Sequence, residues 1–346
     1  MPNALKIYYF SGTGNAKNVA RWISEVAKEH RLSTCITDIT SVPGRKPTAH
    51  AADDIVGFCA PTHGFNFPPV MMHFLLRIPR AKSEAFIVNT RAGLKMGKWF
   101  VPGLSGMAQY FYALVLKLKG YEITGMQSID LPSNWISLHP GVKEKVADSL
   151  FLRCEKKSKQ FAYKIFSGKK SLRALYDIVQ DILITPISIL YYFIGRYVFA
   201  KSFYADASCN NCNICMNTCP INAIKLVNKR PFWTHRCESC MHCMNSCPKR
   251  SIQTAHGYVI AILILISSVF LVRLRPYLLD VFNLKKSGLV FKSLDLVLQA
   301  IVTFTVFIIT YYLFHFLLRI PVIRNIIYIS SLTKYKFWRR YKIRNK

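Results

Sequence analysis

The sequence predicts an α/β doubly wound parallel five-stranded sheet, then a small α+β domain, then C-terminal transmembrane or membrane-embedded helices. Short apolar segments alternate with helical patterns over residues 1–167, which is typical of a parallel sheet covered by helices on both faces. A cysteine pattern occurs twice within residues 205–256. Long uncharged segments follow within residues 257–318, where they indicate contact with a membrane.

Five short apolar segments of the N-terminal region are predicted strands, and four helical patterns separate or follow them. The strands are predicted over residues 5–10, 34–40, 55–60, 85–90 and 121–130. The helices are predicted over residues 16–30, 70–78, 104–119 and 141–167. Ligands of such open sheets bind at the carboxyl ends of the strands, near the point where the strand order reverses. The loops after the strands are therefore the candidate site.

The loop after the first strand has the residue types of a phosphate cradle. Ser11, Gly12, Thr13, Gly14 and Asn15 stand between a strand and a helix. Glycines let the backbone approach a phosphate, hydroxyls donate, and the helix N-terminus offers unpaired N–H groups. The loop has neither the GxxxxGK[ST] spacing of a Walker A motif nor the GxGxxG spacing of dinucleotide-binding turns.

This loop resembles the first loop of the flavodoxin family, T/S-x-T-G-x-T, which binds the FMN phosphate. Ala16 stands at the last position of that motif, so the resemblance implies one hydroxyl contact fewer. The loops after the third and fourth strands match the flavin-edge loops of the family by position, and Phe65 or Phe67 would pack against the isoalloxazine. The alternative is a flavin-free α/β domain with ordinary turns.

The resemblance implies FMN as a cofactor and assigns its contacts to three loops. The implied FMN-binding residues are Ser11, Gly12, Thr13, Gly14, Asn15, Pro61, Thr62, His63, Gly64, Phe65, Asn66, Phe67, Thr90, Arg91, Ala92 and Gly93. His63 is the candidate for a catalytic acid near the flavin, and a histidine that only packs or faces solvent is the alternative. The sequence predicts no other catalytic residue.

Two cysteine runs of the form C-x2-C-x2-C-x3-C-P stand 28 positions apart. The first run contains Cys209, Cys212, Cys215 and Cys219, and the second contains Cys237, Cys240, Cys243 and Cys247. A zinc ribbon uses separated C-x2-C pairs, and a disulfide framework belongs to secreted chains, so both alternatives fit less well. The other three cysteines, Cys35, Cys59 and Cys154, are predicted to be buried structural thiols.

The repeated run resembles the bacterial two-cluster ferredoxins, in which the fourth cysteine of each run ligates the other cluster. The resemblance therefore implies two [4Fe-4S] clusters. Cluster 1 would be held by Cys209, Cys212, Cys215 and Cys247, and cluster 2 by Cys219, Cys237, Cys240 and Cys243. The order of the two domains resembles the flavodoxin–ferredoxin fusion proteins over roughly residues 4–255.

The chain is thus predicted to contain five parts. They are a flavodoxin-like FMN-binding domain (1–167), an apolar helical linker (168–204), a ferredoxin-like domain with two [4Fe-4S] clusters (205–256), a membrane helical hairpin (257–318) and a basic cytoplasmic tail (319–346). The linker has an uncharged run of only 14 residues and contains Pro186, so it is predicted to pack the domains or to lie in the interface rather than to span.

The chain carries 47 Lys and Arg against 17 Asp and Glu, a formal charge of +30, yet 51% of its residues are hydrophobic. This combination indicates an anionic membrane surface, because the basic residues stand beside apolar segments. Nucleic acid is the competing partner for such a charge, and the absence of a nucleic-acid-binding motif argues against it.

Residues 258–272 and 296–318 are the predicted membrane helices. Two spans would put the cofactor domains and the basic tail on the cytoplasmic side of the cytoplasmic membrane. The connecting segment has Arg273, Arg275, Lys285, Lys286 and Lys292, many charges for an external loop, and a monotopic anchor would remove that conflict. Soluble core helices are the third alternative.

Two polar side chains stand within the second predicted span, Gln299 and His315. They are predicted to make hydrogen bonds between helices, and the alternative is contact with a quinone head group.

The predicted cofactors form a redox relay in one chain, because FMN exchanges one or two electrons and clusters exchange one at a time.

The functional hypothesis is a membrane-anchored iron–sulfur flavoprotein. It would transfer electrons between a soluble low-potential carrier, ferredoxin or flavodoxin, and a membrane acceptor, a quinone or a membrane oxidoreductase. The first alternative is an FMN-dependent reductase of a small or lipid-like substrate fed by the clusters. A redox sensor is the second alternative, although the sequence contains no output module.

Overall fold

The computed structural model describes residues 4–42, 44, 47–277 and 289–344. The chain divides into two compact units. The first contains Met1–Tyr192, Cys240–Asn245 and Arg339–Lys346, and the second contains Phe193–Ser239 and Ser246–Trp338. The division departs from the predicted domain boundaries, because part of the second cysteine run and the end of the chain belong to the first unit.

The first unit is built on a seven-stranded sheet in the order β2-β1-β3-β4-β6-β7, with β5 paired to β4. The strands are β1 (Ala4–Tyr9), β2 (Ser33–Asp38), β3 (Asp54–Pro61), β4 (Glu84–Met96), β5 (Trp99–Val101), β6 (Glu122–Pro132) and β7 (Ser171–Leu172). The five long strands are parallel, and their order along the sheet is the flavodoxin-like doubly wound order. The predicted parallel α/β sheet is therefore confirmed. Strands β5 and β7 were not predicted, because strands of two or three residues are too short to show an alternating apolar pattern.

Helices cover both faces of this sheet. They are α1 (Asn15–Glu29), α2 (Pro69–Leu76), α3 (Ala108–Leu118) and α4 (Glu144–Phe166). Trp22 and Ile23 of α1 and Phe161 of α4 share one buried cluster with Leu5 and Ile7 of β1. Alternate residues of a strand face opposite sides, and Tyr8, which follows Ile7 in β1, packs instead on Phe74 of α2 at 5.0 Å between ring centroids.

A long apolar helix ends the N-terminal part of the chain. A 3-10 turn (Arg173–Asp177) leads into α5 (Ile178–Leu190), a π-helical segment (Tyr191–Gly195) and α6 (Arg196–Ala200). The sequence predicted a short linker helix here, yet the helix Arg173–Ala200 has 28 residues and a mean hydropathy of 1.6, enough to cross a membrane. The length predicted from the uncharged run was too short, because the helix continues through the charged residues Asp177 and Asp181.

The second unit contains a pair of two-stranded antiparallel sheets. Strand β8 (Phe203–Ala205) pairs with β11 (Ile252–Thr254), and β9 (Ile224–Val227) pairs with β10 (Arg230–Trp233). Two short helices accompany the cysteine runs, α7 (Ile214–Asn217) and α8 (His242–Ser246), the latter mostly in the first unit.

Apolar helices complete the second unit. They are α9 (His256–Leu265), which continues as a π-helical segment (Ile266–Leu274), α10 (Leu289–Leu317) and α11 (Pro321–Ile329), followed by a 3-10 turn (Leu332–Lys334). Both predicted membrane segments are helical. In the described residues, Arg173–Ala200 and Phe291–Leu317 are long and apolar enough to cross a membrane, which by length and composition alone is weak evidence for one. Lys285 and Lys286 lie outside the described residues.

Candidate cofactor site

A cavity of about 440 Å³ opens at the carboxyl ends of the parallel strands in the first unit. Its volume falls in the range of about 300 to 1,000 Å³ that is usual for cofactor sites. Three predicted loops meet in its wall. The predicted residues that line it are Ser11, Gly12, Thr13, Asn15, Pro61, Thr62, Gly64, Phe65, Thr90, Arg91 and Ala92.

The phosphate-cradle loop leads directly into α1. Gly14 adopts the left-handed conformation at φ 92°, which a residue with a Cβ rarely adopts, and it precedes the first helical residue. Asn15 Nδ2 donates to the Pro132 carbonyl at 3.0 Å, which ties the start of α1 to the end of β6. The α1 N-terminus therefore faces the cavity wall with its backbone N–H groups, an arrangement suited to an anion.

Five predicted contact residues do not line the cavity. Phe67 is fully buried and stacks on Tyr112 with 4.5 Å between ring centroids, so it belongs to the core. His63 is also buried, with its ring 6.2 Å from the Trp135 ring. The remaining residues are Gly14, Asn66 and Gly93. The backbones of His63 and Asn66 pair with each other through hydrogen bonds of 2.7 and 3.1 Å, which closes a tight turn at Gly64 and Phe65.

The loop after β6 forms a further wall of the cavity, which no sequence motif predicted. The lining residues of this loop are Pro132, Ser133, Asn134, Trp135, Leu138 and His139. Asn134 Nδ2 donates to Thr13 Oγ1 at 2.5 Å, and Ser133 Oγ pairs with His139 Nε2 at 2.8 Å. The sequence signal that could have identified this loop is its position directly after a parallel strand, together with the aromatic residue Trp135. A second lining segment that was not predicted, residues 101–104, begins at the last residue of β5.

Arg91 is a buried charge beside the cavity, and two carboxylates neutralise it. Its Nε lies 2.6 Å from Asp130 Oδ1, and its Nη1 lies 2.6 Å from Asp177 Oδ2. Burial favours the neutral form of Asp130, yet the charges of Lys157 and Arg91 outweigh it and lower the pKa of that carboxyl. Arg91 is therefore a structural clamp between β4, β6 and the turn before α5, and it brings no net charge to the cavity.

A segment of the second cysteine run, residues 240–245, lies directly on the phosphate-cradle loop within the first unit. A Cβ placed on Gly12 would be only 2.6 Å from the Cys240 carbonyl oxygen and 2.7 Å from Cys240 Cβ. His242 Nδ1 lies 2.6 Å from the Gly12 carbonyl, and Asn134 Nδ2 donates to the Cys240 carbonyl at 3.4 Å. Glycine at position 12 is thus required by this close approach of two backbones.

In the second unit, four cysteines line one small cavity, and they are those assigned to cluster 1. They are Cys209, Cys212, Cys215 and Cys247. Burial, followed by the charges of Cys209 and Cys247, raises the pKa of the Cys215 thiol to about 11. Cys247 stands 32 positions after Cys215 in the sequence, so the fold brings the fourth cysteine of the second run to the first run.

Both cluster assignments stay predictions. The ligands assigned to cluster 2 are divided between the units, because Cys219 and Cys237 belong to the second and Cys240 and Cys243 to the first. Within the described residues, no three His, Cys, Asp or Glu side chains are arranged to hold a single metal ion. A [4Fe-4S] cluster differs in this respect, because each of its four thiolates binds a different iron atom.

The three cysteines outside the runs differ in exposure. Cys59 and Cys154 are buried, and burial raises the pKa of both thiols, that of Cys154 to about 12. The prediction of a buried thiol was wrong for Cys35, which is exposed. Cys35 stands on β2, which lies at the edge of the sheet and pairs only with β1 among the described strands.

The end of the chain packs on the first unit near the cofactor cavity. Tyr341 is buried, and its hydroxyl donates to Asn15 Oδ1 at 2.6 Å. Arg339 and Gly141 pair through two hydrogen bonds, one of 2.6 Å from the Gly141 N–H and one of 2.8 Å from Arg339 Nε. Residues 339–344 therefore form a C-terminal strap, where the sequence predicted part of a basic tail.

The sequence matches no protein-family model and no curated protein. Solved structures resemble about half of it. A Streptococcus pneumonia TIGR4 flavodoxin is 18% identical, covers 46% of this chain and 99% of its own, and has a TM-score of 0.30. The two-electron reduced Megasphaera elsdenii flavodoxin is 14% identical, covers 46% of this chain and 98% of its own, and has a TM-score of 0.29. The general stress protein 14 of Treponema denticola in complex with FMN is 10% identical, covers 47% of this chain and 96% of its own, and has a TM-score of 0.29. The fold of this chain is assigned from its own strand order.

Proposed function

We propose that this chain is an iron–sulfur flavoprotein that transfers electrons at a membrane surface. FMN would be bound in the 440 Å³ cavity of the first unit, and two [4Fe-4S] clusters would be bound by the eight cysteines of the repeated runs. Electrons would pass between a soluble low-potential carrier, ferredoxin or flavodoxin, and a membrane-side acceptor, a quinone or a membrane oxidoreductase.

The contact between Gly12 and Cys240 is the observation that supports this proposal best. The cysteine segment rests on the same loop that would hold the FMN phosphate, with Cys240 Cβ in van der Waals range of Gly12. An isolated carrier domain would have no reason to bury part of a cluster-binding motif against a phosphate-cradle loop. If both cofactors are bound as proposed, a cluster ligand would lie against the loop that holds FMN, and positioning would replace diffusion in the transfer step.

The residues of the cavity fit FMN in chemistry and in size. The backbone of Gly12, Thr13 and the first turn of α1 would hold the phosphate, and the loops at Pro61–Phe65 and Thr90–Ala92 would flank the ring system. Trp135 would supply the aromatic wall in place of Phe67, because Phe67 is buried in the core against Tyr112. When bound, FMN would supply the exchange between two-electron and one-electron steps.

Membrane attachment is supported by the pattern of exposed apolar side chains. Ile182, Leu183 and Ile187 of α5 are exposed, whereas Asp181 on the same helix is buried against Tyr110, whose hydroxyl donates to it at 3.1 Å. A helix with one face packed on a protein domain cannot be surrounded by lipid, so we propose that α5 lies in the interface. Helix α10, in which Phe291–Leu317 is long enough to cross, would form a membrane hairpin with α9 and its π-helical continuation, and two crossings would return the C-terminal strap to the side of the first unit.

The alternative activity, reduction of a small or lipid-like substrate at the flavin, needs a proton donor in the cavity. His63 does not line the cavity, but His139 does, with its Nε2 held 2.8 Å from Ser133 Oγ. A His139→Gln variant separates the two functions. It should leave electron transfer to an artificial acceptor unchanged, whereas loss of transfer only to a proton-requiring substrate would favour the reductase.

Anaerobic purification of the full chain from membranes tests the central proposal. The protein should be brown and contain one FMN and about eight iron atoms per chain. Reduction by a low-potential ferredoxin should bleach the flavin and cluster absorbance together, and adding a soluble quinone should restore both. Purification with zinc in place of iron, or without flavin in the presence of added FMN, would refute it.

A further inference from the structure

A second cavity, of about 250 Å³, lies in the second unit, far along the chain from the flavin loops. Its walls come from the β9–β10 hairpin and from the end of α10 with the start of α11. Three arginines line it, Arg230, Arg319 and Arg324. The lining residues that the structure describes include no aspartate or glutamate, so the cavity carries a concentrated positive charge.

The arginines converge from different parts of the sequence. Arg230 begins β10 and donates from Nη1 to the Asp206 carbonyl at 2.6 Å. No other side-chain hydrogen bond of its guanidinium group is formed within the part of the chain that the structure describes. Arg319 follows α10, with its guanidinium carbon 5.1 Å from the Phe316 ring centroid. Arg324 lies in the first turns of α11. Such convergence requires the fold, because no run of basic residues in the sequence joins these positions.

Two buried nitrogen atoms of the cavity residues have no hydrogen-bond partner among the described residues. They are Arg324 Nε and His315 Nε2. A buried polar nitrogen without a partner costs free energy comparable to a lost hydrogen bond, and the Arg324 N–H, which can only donate, indicates a missing acceptor. The His315 ring is held in place between Phe232, at 5.0 Å, and Tyr311, at 4.5 Å between ring centroids.

The rest of the cavity wall is aromatic and apolar. Phe232, Tyr312 and Phe316 contribute rings, and Leu318 an aliphatic side chain. The cavity lies at the C-terminal end of Phe291–Leu317, the apolar helix that is long enough to cross a membrane. A guanidinium cluster at the end of such a helix is the arrangement that recognises phosphate head groups, and arginine forks match phosphate oxygens in pairs.

We propose that this cavity is a binding site for a phosphate-bearing anion, held by the guanidinium groups of Arg230, Arg319 and Arg324. The chemistry is shared by an anionic lipid headgroup, whose acyl chains would follow the exposed apolar surface of α10, and by free phosphate. The site goes beyond the proposed electron transfer, and it does not depend on FMN or on the clusters.

The test uses the full chain with its cofactors in a neutral detergent. Its unfolding temperature is measured during titration with dihexanoyl phosphatidylglycerol, with dihexanoyl phosphatidylcholine and with inorganic phosphate. A ligand that binds only the folded state raises this temperature with increasing concentration. Saturable stabilisation by phosphatidylglycerol but not by inorganic phosphate identifies a lipid site, and the reverse order identifies a free-phosphate site. Both results support the proposal.

Charge-removing variants decide whether the cavity is responsible. Arg319→Gln and Arg324→Gln should each raise the half-saturating ligand concentration about tenfold, because each loses a charge-assisted hydrogen bond. Lys225→Gln is the matched control, since Lys225 is an exposed cation on the same hairpin outside the cavity. If the Arg324→Gln variant does not fold, the Arg319→Gln variant is sufficient for the test, because Arg319 is exposed. No saturable stabilisation by either anion, or an equal loss in Lys225→Gln, overturns the proposal.

Discussion

The hydroxyl of Tyr341 donates a 2.6 Å hydrogen bond to Asn15 Oδ1, although 326 positions of sequence separate the two residues. Asn15 lines the candidate FMN cavity and donates in turn to the Pro132 carbonyl. The C-terminal strap therefore supports the phosphate-cradle loop from behind. Arg340 Nη1 also donates to the Met244 carbonyl at 2.7 Å, so the same strap holds the cysteine segment that rests on the loop.

Tyr341→Phe should weaken FMN binding about fivefold, because it removes a neutral hydrogen bond of about 1 kcal/mol and leaves a buried amide oxygen without its donor. The dissociation constant of FMN from the flavin-depleted full chain, measured by quenching of flavin fluorescence, checks this. Tyr176→Phe is the control, since Tyr176 is 88% exposed in the same unit. Equal affinities for Tyr341→Phe and the control would mean that the strap does not position the loop.

Gly12→Ala should slow electron exchange between flavin and clusters, by about tenfold or more, because small displacements of reacting groups have large effects on rate. The added methyl group would lie 2.6 Å from the Cys240 carbonyl oxygen, so the cysteine segment must move away from the loop. Anaerobic stopped-flow absorbance of the pre-reduced protein measures the exchange.

The control for this rate is Gly97→Ala, because a Cβ at Gly97 meets no atom within 4 Å. It should keep the rate of the unmodified chain, apart from a modest loss of stability due to its φ of +59°. A normal rate in Gly12→Ala, with FMN and iron both retained, would show that the contact is not on the path of the electrons.

Cys247→Ala should remove the cluster held by the first cysteine run and lower the iron content from about eight to about four atoms per chain. The reason is that Cys247 lines the same cavity as Cys209, Cys212 and Cys215. Electron paramagnetic resonance of the reduced protein identifies which cluster signal persists. Cys219→Ala should give the opposite loss, and Cys35→Ala, at an exposed thiol outside the runs, should lose no iron.

The first unit should lose stability as the pH falls from about 6.5 towards 4, because of His50. Its Nε2 accepts from Tyr8 at 3.0 Å, and its Nδ1 donates to Tyr121 at 2.9 Å, since the Tyr121 hydroxyl already donates to the Pro79 carbonyl. Burial, followed by the charge of Lys6, lowers the pKa of His50 to about 4. The unfolded chain binds the proton first, so protonation favours unfolding throughout this window, by up to about 3 kcal/mol at its acid end.

Denaturant unfolding followed by the near-ultraviolet circular dichroism of the first unit measures this dependence between pH 7 and pH 4.5. His50→Gln should be less stable at pH 7 but should show a flatter dependence on pH, because an amide does not titrate in this range. A slope that is the same in both proteins would assign the acid sensitivity to other groups.

Much of the fold follows from local patterns. The five parallel strands were predicted to within a few residues, except that β4 extends to Met96, because alternating apolar runs bounded by turn residues carry a clear period. The three loops at their carboxyl ends were also predicted. Trp135 and His139 were missed because a wall made by the loop after the last long strand has no motif of its own.

The sequence by itself determined the residue chemistry of this protein: a phosphate-cradle loop, eight cysteines in a repeated spacing, and apolar segments beside basic ones. Only the tertiary structure decided which segments of the chain come into contact with one another. The contacts of Gly12 with Cys240 and of Asn15 with Tyr341 join positions more than 200 residues apart, and no local pattern encodes them. The three arginines of the second cavity depend on chain folding in the same way, because their convergence is set by the packing of the hairpin and the helices.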